Sequence, residues 1–227
     1  MLKKWEELPC DMQNPQVRRY YDILSRKKWS LRVKRIADVL ISALLLVLLC
    51  PLLLLIGISV RLDSKGPGIF RQVRITAYGR PFYIFKFRSM VKEADRRGGQ
   101  LTVKGDARIT RVGRILRKWR LDELLQLLNV LVGDMTLVGV RPEVERYVRC
   151  YTDEMKATLL LPAGITSRAS IRYKDEEKLL EGEKDADWVY LNRILPDKMK
   201  YNLEELEHFS LWQDVRIMLE TLLAVIR

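Results

Sequence analysis

The chain has 227 residues, 48% apolar and 31% charged: enough for one ordinary domain plus a membrane element, and too apolar for a disordered chain. A formal net charge of +12 asks for an anionic partner: nucleic acid, anionic lipid or a phosphorylated substrate. With few aromatics and no stacking or zinc-finger signature, no nucleic-acid partner is expected. The one histidine, His208, reads as a surface helix residue and all but removes serine triads and histidine-built metal sites. Cys10, Cys50 and Cys150 are too far apart for a disulfide framework or metal cluster, and they fit a reducing compartment.

Residues 1–30 are polar and mixed, and the spacing predicts a short helix over Pro15–Arg26. The one long apolar run follows, Ile36 to Val60, with Asp38 as its only charge. Thirty-five residues precede it and no small-residue cleavage site follows, which argues against a signal peptide. A straight helix over this run would be roughly 38 Å long, enough to cross a bilayer. Two features oppose a simple span. Pro51 removes a helical hydrogen bond in its middle. Both flanks are basic: Arg26, Lys27, Lys28, Arg32, Lys34 and Arg35 before it, and Arg61, Lys65, Arg71 and Arg74 after it. A re-entrant helix broken at Cys50-Pro51, with both ends cytoplasmic, satisfies both. Each arm is then too short to cross a core of about 30 Å, and Ser42 or a neighbouring segment could serve the freed carbonyls.

Ser64-Lys65-Gly66-Pro67-Gly68 reads as a turn. Two short strands are expected, Ile69–Arg74 and Phe82–Phe87, joined through Ala77-Tyr78-Gly79-Arg80. Residues 92–107 read as a helix start and then a loop. Thr110–Arg120 is amphipathic, with Val112, Ile115, Leu116 and Trp119 on one face and Arg111, Arg114, Arg117 and Lys118 around the other. That composition suits a helix in the membrane interface. Leu121–Val132 reads as a second, apolar helix ended by Gly133, and Phe209–Ile226 as a C-terminal helix too charged to span. Trp5, Trp29 and Trp188 are either interface anchors or packing residues.

Leu121-Asp122-Glu123-Leu124 opens the second helix. Adjacent acids in a first turn are ordinarily caps for backbone amides. Here basic residues surround them in sequence: Arg117, Lys118 and Arg120 upstream, Arg141-Pro142 downstream, and Lys86-Phe87-Arg88 at a strand end. A carboxylate ringed by cations stays ionised, and the same cations can neutralise a diphosphate. One acid as nucleophile and one as Mg²⁺ ligand is a coherent division, although adjacency alone does not say which acid does which.

The string from Arg120 to Met135, Arg-Leu-Asp-Glu-Leu-Leu-Gln-Leu-Leu-Asn-Val-Leu-Val-Gly-Asp-Met, resembles the signature of the bacterial sugar transferases, the monotopic phosphoglycosyl transferases. Lys86–Met90, Val138–Pro142, Pro162–Thr166, Gly66–Gln72 and Phe209–Val215 match in the same order, covering roughly residues 30–227. The resemblance implies an α+β, mostly helical monotopic membrane protein with a re-entrant helix, interfacial amphipathic helices and a small β-hairpin. Residues 1–30 would be an N-terminal extension, 31–62 the re-entrant membrane helix, and 63–227 the catalytic domain on the cytoplasmic face of a bacterial inner membrane. It also implies that Asp122 attacks the sugar-bearing phosphorus of a UDP-sugar and expels UMP. Undecaprenyl phosphate then takes the group, initiating a membrane glycoconjugate. Glu123 would bind Mg²⁺, Arg117 and Arg141 (with Pro142) would meet phosphates, and Lys86 and Arg88 would support the site. Whether two copies pair as a homodimer is left open.

Three departures stand out. Cys50-Pro51 replaces the family's usual Ser-Pro break, Val140 stands where proline commonly precedes Arg-Pro, and Ser167-Arg168-Ala169-Ser170 replaces a Gly-Trp-Ala-Gln run. The last lies in a region expected to affect donor choice, so the sugar stays open. The reading from another class is a catalytically silent, membrane-anchored adaptor of a glycan-assembly complex.

Overall fold

The computed structural model describes residues 2–92, 106–183 and 185–226. Its helix α1 (Pro15–Arg26) has the expected bounds. Asn14 caps it by accepting from the Val17 amide at 2.9 Å, and Pro15 opens its first turn. Val17, Tyr20, Tyr21 and Leu24 form its buried stripe. With Leu8 and Met12 they share a core with Ala157, Leu160, Leu206 and Phe209. The first residues are therefore packed onto the body of the protein.

Helix α2 (Lys28–Asp63) holds the apolar run and is long and apolar enough to cross a membrane, with only 11% of its most apolar window buried. The helix runs unbroken through Cys50 and Pro51, both exposed, so any bend there is made within a continuous helix. Its buried positions fall in two groups, Leu31, Lys34, Asp38 and Ser42 near one end and Ile56 and Val60 near the other. Ile41, Leu45 and Leu46 pack against Leu127, Val130 and Ile217, and Ile56 and Val60 pack against Phe87, Leu116 and Leu125.

Strands β1 (Ile69–Ile75) and β2 (Pro81–Phe87) form the expected antiparallel hairpin, with Gln72 opposite Ile84. Its turn uses left-handed backbone at Tyr78 (φ 60°) and Gly79 (φ 71°). The expected helix start and loop over 92–107 fall largely outside the described residues.

Helix α3 (Arg111–Lys118) is shorter than the amphipathic stretch, and its apolar residues divide: Leu116 is buried with Val112 against it, whereas Ile115 and Trp119 are exposed. The single helix expected over Leu121–Val132 is instead a 3-10 turn at Leu121–Glu123 followed by α4 (Gln126–Val132). Arg120, in left-handed backbone (φ 52°), turns the chain between α3 and the acids, and Leu124 and Leu125 join the acid-bearing turn to α4.

A second sheet was not expected. Strands β3 (Met135–Val138) and β4 (Ala163–Thr166) pair in parallel. Gly139 and Gly164 touch there backbone to backbone, in space a Cβ on Gly164 would need. Short helices α5 (Glu145–Val148), α6 (Arg168–Arg172), α7 (Glu176–Leu179) and α8 (Ala186–Val189) lead through a π-helical turn, Tyr190–Ile194, to α9 (Leu195–Glu207). Helix α10 (Leu211–Ile226) buries Ile217 and leaves Trp212, Leu219, Leu222 and Leu223 exposed.

Candidate active site

The 3-10 turn buries both Asp122 and Glu123. The two acids have different partners. Glu123 takes a forked pair of hydrogen bonds from Arg141, one from Nη1 to Oε2 at 3.1 Å and one from Nη2 to Oε1. Lys86 Nζ donates to Oε1 at 2.8 Å, and Arg120 Nη1 lies 4.0 Å from Oε2. Among the described residues, no hydrogen bond or ion pair engages the Asp122 carboxylate. The charges of Lys86, Arg117 and Arg141 reach it through space.

Electrostatics follow from these partners. Burial and then the neighbouring Glu123 charge push the Asp122 carboxyl up, against the pull of Lys86, Arg117 and Arg141. Burial also opposes the Glu123 charge, but Arg141 and Lys86 outweigh it and hold that carboxyl well below the usual range. The cation ring expected around the pair thus closes on Glu123. Burial lowers the Lys86 ammonium, while Glu123 raises the Arg141 guanidinium.

Of the residues singled out in the sequence, Lys86, Arg117 and Arg141 come together with the dyad. Pro142 follows Arg141, and its carbonyl accepts from Arg74 at 3.3 Å. Arg88 does not join them. Its guanidinium donates to the carbonyls of Val60 (3.1 Å), Ser64 (2.5 Å) and Pro67 (2.5 Å) and to Ser64 Oγ (2.9 Å), fastening the end of α2. Gly66 gives it room, since a Cβ there would lie 2.6 Å from Arg88 Nη1. Cys50 and Pro51 lie far along α2.

Sequence reasoning missed a buried network behind Arg141. Glu143 accepts from Tyr190 Oη (2.5 Å) and Lys198 Nζ (3.5 Å), and Lys198 also reaches Glu176 (3.0 Å). Burial opposes the Glu143 charge, yet Lys198 and Arg74 hold it low. The backbone carbonyl of Glu143 accepts from the Ile75 amide at 2.9 Å, so the Arg141 segment is anchored on the hairpin. Only the position of Glu143 beside Arg141-Pro142 could have drawn attention to it.

The donor set available for a metal is oxygen alone, which suits Mg²⁺. Among the described residues no group of three His, Cys, Asp or Glu could form a cage. Two adjacent carboxylates fit an ion that draws its remaining oxygens from water and substrate phosphate. In the structure both Glu123 oxygens are engaged by Arg141 and Lys86.

A family model described as bacterial sugar transferase matches residues 29–227. The chain belongs to this family. It is 40% identical over 191 residues to the UDP-glucose:undecaprenyl-phosphate glucose-1-phosphate transferase of Caulobacter vibrioides, covering 83% of this chain and 67% of that one. It is 34% identical over 197 residues to the UDP-N-acetylgalactosamine-undecaprenyl-phosphate N-acetylgalactosaminephosphotransferase of Aeromonas hydrophila, covering 86% and 44%. To the Escherichia coli UDP-glucose:undecaprenyl-phosphate glucose-1-phosphate transferase it is 36% identical over 194 residues, covering 83% and 39%. The chain thus spans less than half the length of the latter two relatives. The matched region includes the whole dyad, Lys86, Arg117 and Arg141, and begins after α1.

Proposed function

We propose that this sugar transferase moves a sugar-1-phosphate from a UDP-sugar to undecaprenyl phosphate, releasing UMP and so initiating a membrane glycoconjugate. The observation that carries the reading is the split within the dyad: Glu123 is saturated by Lys86 and Arg141, whereas Asp122 has no bonded partner among the described residues beside the same cations. Such a pair contains an uncommitted nucleophile and a counter-charge that holds phosphate-binding groups ready.

In the first step an Asp122 oxygen bonds to the sugar-bearing phosphorus, and the bond from that phosphorus to the bridging oxygen breaks. UMP leaves with the electron pair. Arg141, Lys86 and Arg117 hold the diphosphate oxygens, and Arg141 suits them because its planar fork pairs with two oxygens at once. In the second step an oxygen of the lipid phosphate attacks the same phosphorus and frees Asp122. Mg²⁺ held by Glu123 together with phosphate oxygens would supply charge neutralisation. Burial disfavours the Asp122 charge, so once ionised its oxygen is the more basic and the more nucleophilic, and no bonded cation among the described residues ties it up.

For α2 the proposed topology is re-entrant, at the inner membrane of a bacterium, with both ends on the cytoplasmic side. Support comes from both ends being fastened to one body: Lys34 to Asp214 at 2.6 Å near its start, and Asp63 accepting from the Val112 amide at 3.1 Å at its end. A helix leaving the far side of a bilayer would carry one end away from that body. Exposed Trp29, Ile115, Trp119, Val132 and the outer residues of α10 supply apolar groups suited to the interface.

The test is UMP release from a donor panel starting with UDP-glucose and UDP-N-acetylgalactosamine, with Mg²⁺ and undecaprenyl phosphate. Release by the wild type and its loss in Asp122→Asn are expected. Wild-type rates in Asp122→Asn would remove the nucleophile, and no release from any donor would leave a silent adaptor. Cysteines placed at Lys28 and Ser64 should both resist periplasmic labelling in spheroplasts; labelling of either restores a spanning helix.

A further inference from the structure

Basic residues beside a membrane helix are ordinarily read as headgroup contacts or topology signals. In α2 that reading suits Lys28 and Arg32, which are exposed. Lys34 and Arg35 turn inward. Arg35 Nη1 donates to the Val130 carbonyl at 2.6 Å and Nη2 to the Leu131 carbonyl at 3.1 Å. Both lie at the negative C-terminal end of α4: the Leu131 carbonyl accepts no backbone hydrogen bond among the described residues, and the Val130 carbonyl also accepts from the Gly133 amide at 3.1 Å. Gly133 ends α4 in left-handed backbone (φ 93°), and a Cβ there would lie 3.4 Å from Arg35 Nη2. The helix end is shaped to the guanidinium.

The neighbouring contacts grip the same junction. Asp38, one turn along α2, accepts from Thr136 Oγ1 on β3, and β3 leads within three residues to Arg141. Lys34 holds Asp214 of α10 at 2.6 Å and lies 3.8 Å from Asp38. At the other end of α2, Arg88 stands two residues after Lys86 and grips the carbonyls of Val60 and Ser64. Each end of the membrane helix is therefore fastened by an arginine close to the site: Arg35 to α4, which follows the dyad turn, and Arg88 beside Lys86. Leu124 and Leu125, both in helical backbone, join the seven-residue α4 to the dyad turn, so the carbonyls that Arg35 grips lie only about 12 Å along the chain from the acids.

We propose that Arg35 is a positioning residue: its fork onto the end of α4 makes the seating of α2 set the position of the Asp122–Glu123 turn. This rests on the transferase reading above. It gives a membrane helix a role in the chemistry beyond anchorage, because a dyad displaced by about 1 Å loses rate steeply.

The test uses the full chain in nanodiscs of phosphatidylethanolamine and phosphatidylglycerol. Wild type, Arg35→Gln, Arg35→Lys and Arg32→Gln are compared by UMP release and by amide hydrogen exchange. Arg35→Gln should lower kcat by about 10- to 100-fold while the donor KM stays within about twofold. Exchange should quicken over residues 121–132 and stay unchanged in α1. Arg35→Lys, which keeps the charge but loses the fork, should fall between, and it carries the test if the Gln variant does not accumulate folded. Arg32→Gln should match wild type. Wild-type kcat in the Arg35 variants, equal losses in Arg32→Gln and Arg35→Gln, or unchanged exchange in α4 would each overturn the proposal. A wild type that releases no UMP from any donor defeats the transferase reading instead, and the exchange comparison still decides whether Arg35 holds the dyad helix.

Discussion

The two adjacent acids should have opposite effects on stability. Glu123→Gln removes the carboxylate that Arg141 and Lys86 share, with side-chain exposures of 11%, 29% and 19%. It leaves two largely buried cations without their partner, and breaking a buried pair from one side costs about 3–5 kcal/mol. Asp122 stands close enough to recover part of that, so the low end applies. About 3 kcal/mol in a chain of this size corresponds to a Tm lower by roughly 6–12 °C. Asp122→Asn removes an acid that no cation among the described residues bonds and that repels Glu123, so its Tm should match or exceed wild type even as transfer is lost. The pH dependence follows the same signs. The carboxyl of Asp122 is raised in the fold, so its unfavourable charge is relieved as pH falls through that raised value, and the gap between wild type and Asp122→Asn should close towards acid. The Glu123 carboxyl is depressed, so its contribution is present above the ordinary carboxylate range and is lost on acidification. Thermal unfolding followed by tryptophan fluorescence, in one detergent across a pH series, measures all of this. Equal shifts of the same sign for both variants would refute the division of roles.

Glu205, buried on α9 and accepting from the Arg168 amide, is raised from 4.5 to about 7, first by burial; Asp214 adds to the rise. The rise corresponds to about 3 kcal/mol, lost as pH climbs from the ordinary carboxylate range to about 7. Glu205→Gln should flatten that slope in chemical-denaturation curves. Arg141→Lys keeps a charge but loses the fork, and should cut kcat/KM by about 10- to 100-fold with little change in fold by circular dichroism. Chelation of divalent ions should stop UMP release, and Mg²⁺ should restore it; full turnover in excess chelator would remove the metal from the reaction.

The parts of the fold legible in sequence are those set by local chemistry. Asn14-Pro15 announces the start of α1, and the Tyr78-Gly79 turn fixes the hairpin. The parallel pair β3 and β4 was illegible because each strand has four residues and β3 is buried throughout, so no alternation marks it. In the site, Lys86 and Arg88 share a period-2 spacing that would place both on one face of a strand. Strand β2 ends at Phe87, so Arg88 leaves the sheet and turns to the α2 carbonyls. The left-handed backbone at Arg120 just before the acids has no sequence signal, since arginine is not a residue that announces it. Lys198 lies 55 residues from Glu143, a separation that no local pattern bridges.

The charge at the dyad has a consequence for the order of the proposed reaction. Counting side chains alone, Lys86, Arg117, Arg120 and Arg141 face Asp122 and Glu123, a local excess of two positive charges that the diphosphate of a UDP-sugar would balance, the proposed Mg²⁺ being taken to arrive and leave with its phosphate oxygens. Most of the chain's net charge of +12 therefore lies outside the site and is free to act elsewhere on anionic surfaces. In the proposed first step Asp122 would exchange its own charge for the single charge of a glycosyl acyl phosphate. The excess returns to two as UMP leaves, matched to a lipid phosphate. Donor and acceptor thus meet the same electrostatic demand in turn, and binding of either opposes binding of the other. On the proposed reaction, a single site alternating between them would hold the sugar phosphate on Asp122 between the two visits. Parallel lines in double-reciprocal plots of donor against acceptor are the kinetic form of that argument, and intersecting lines would refute it.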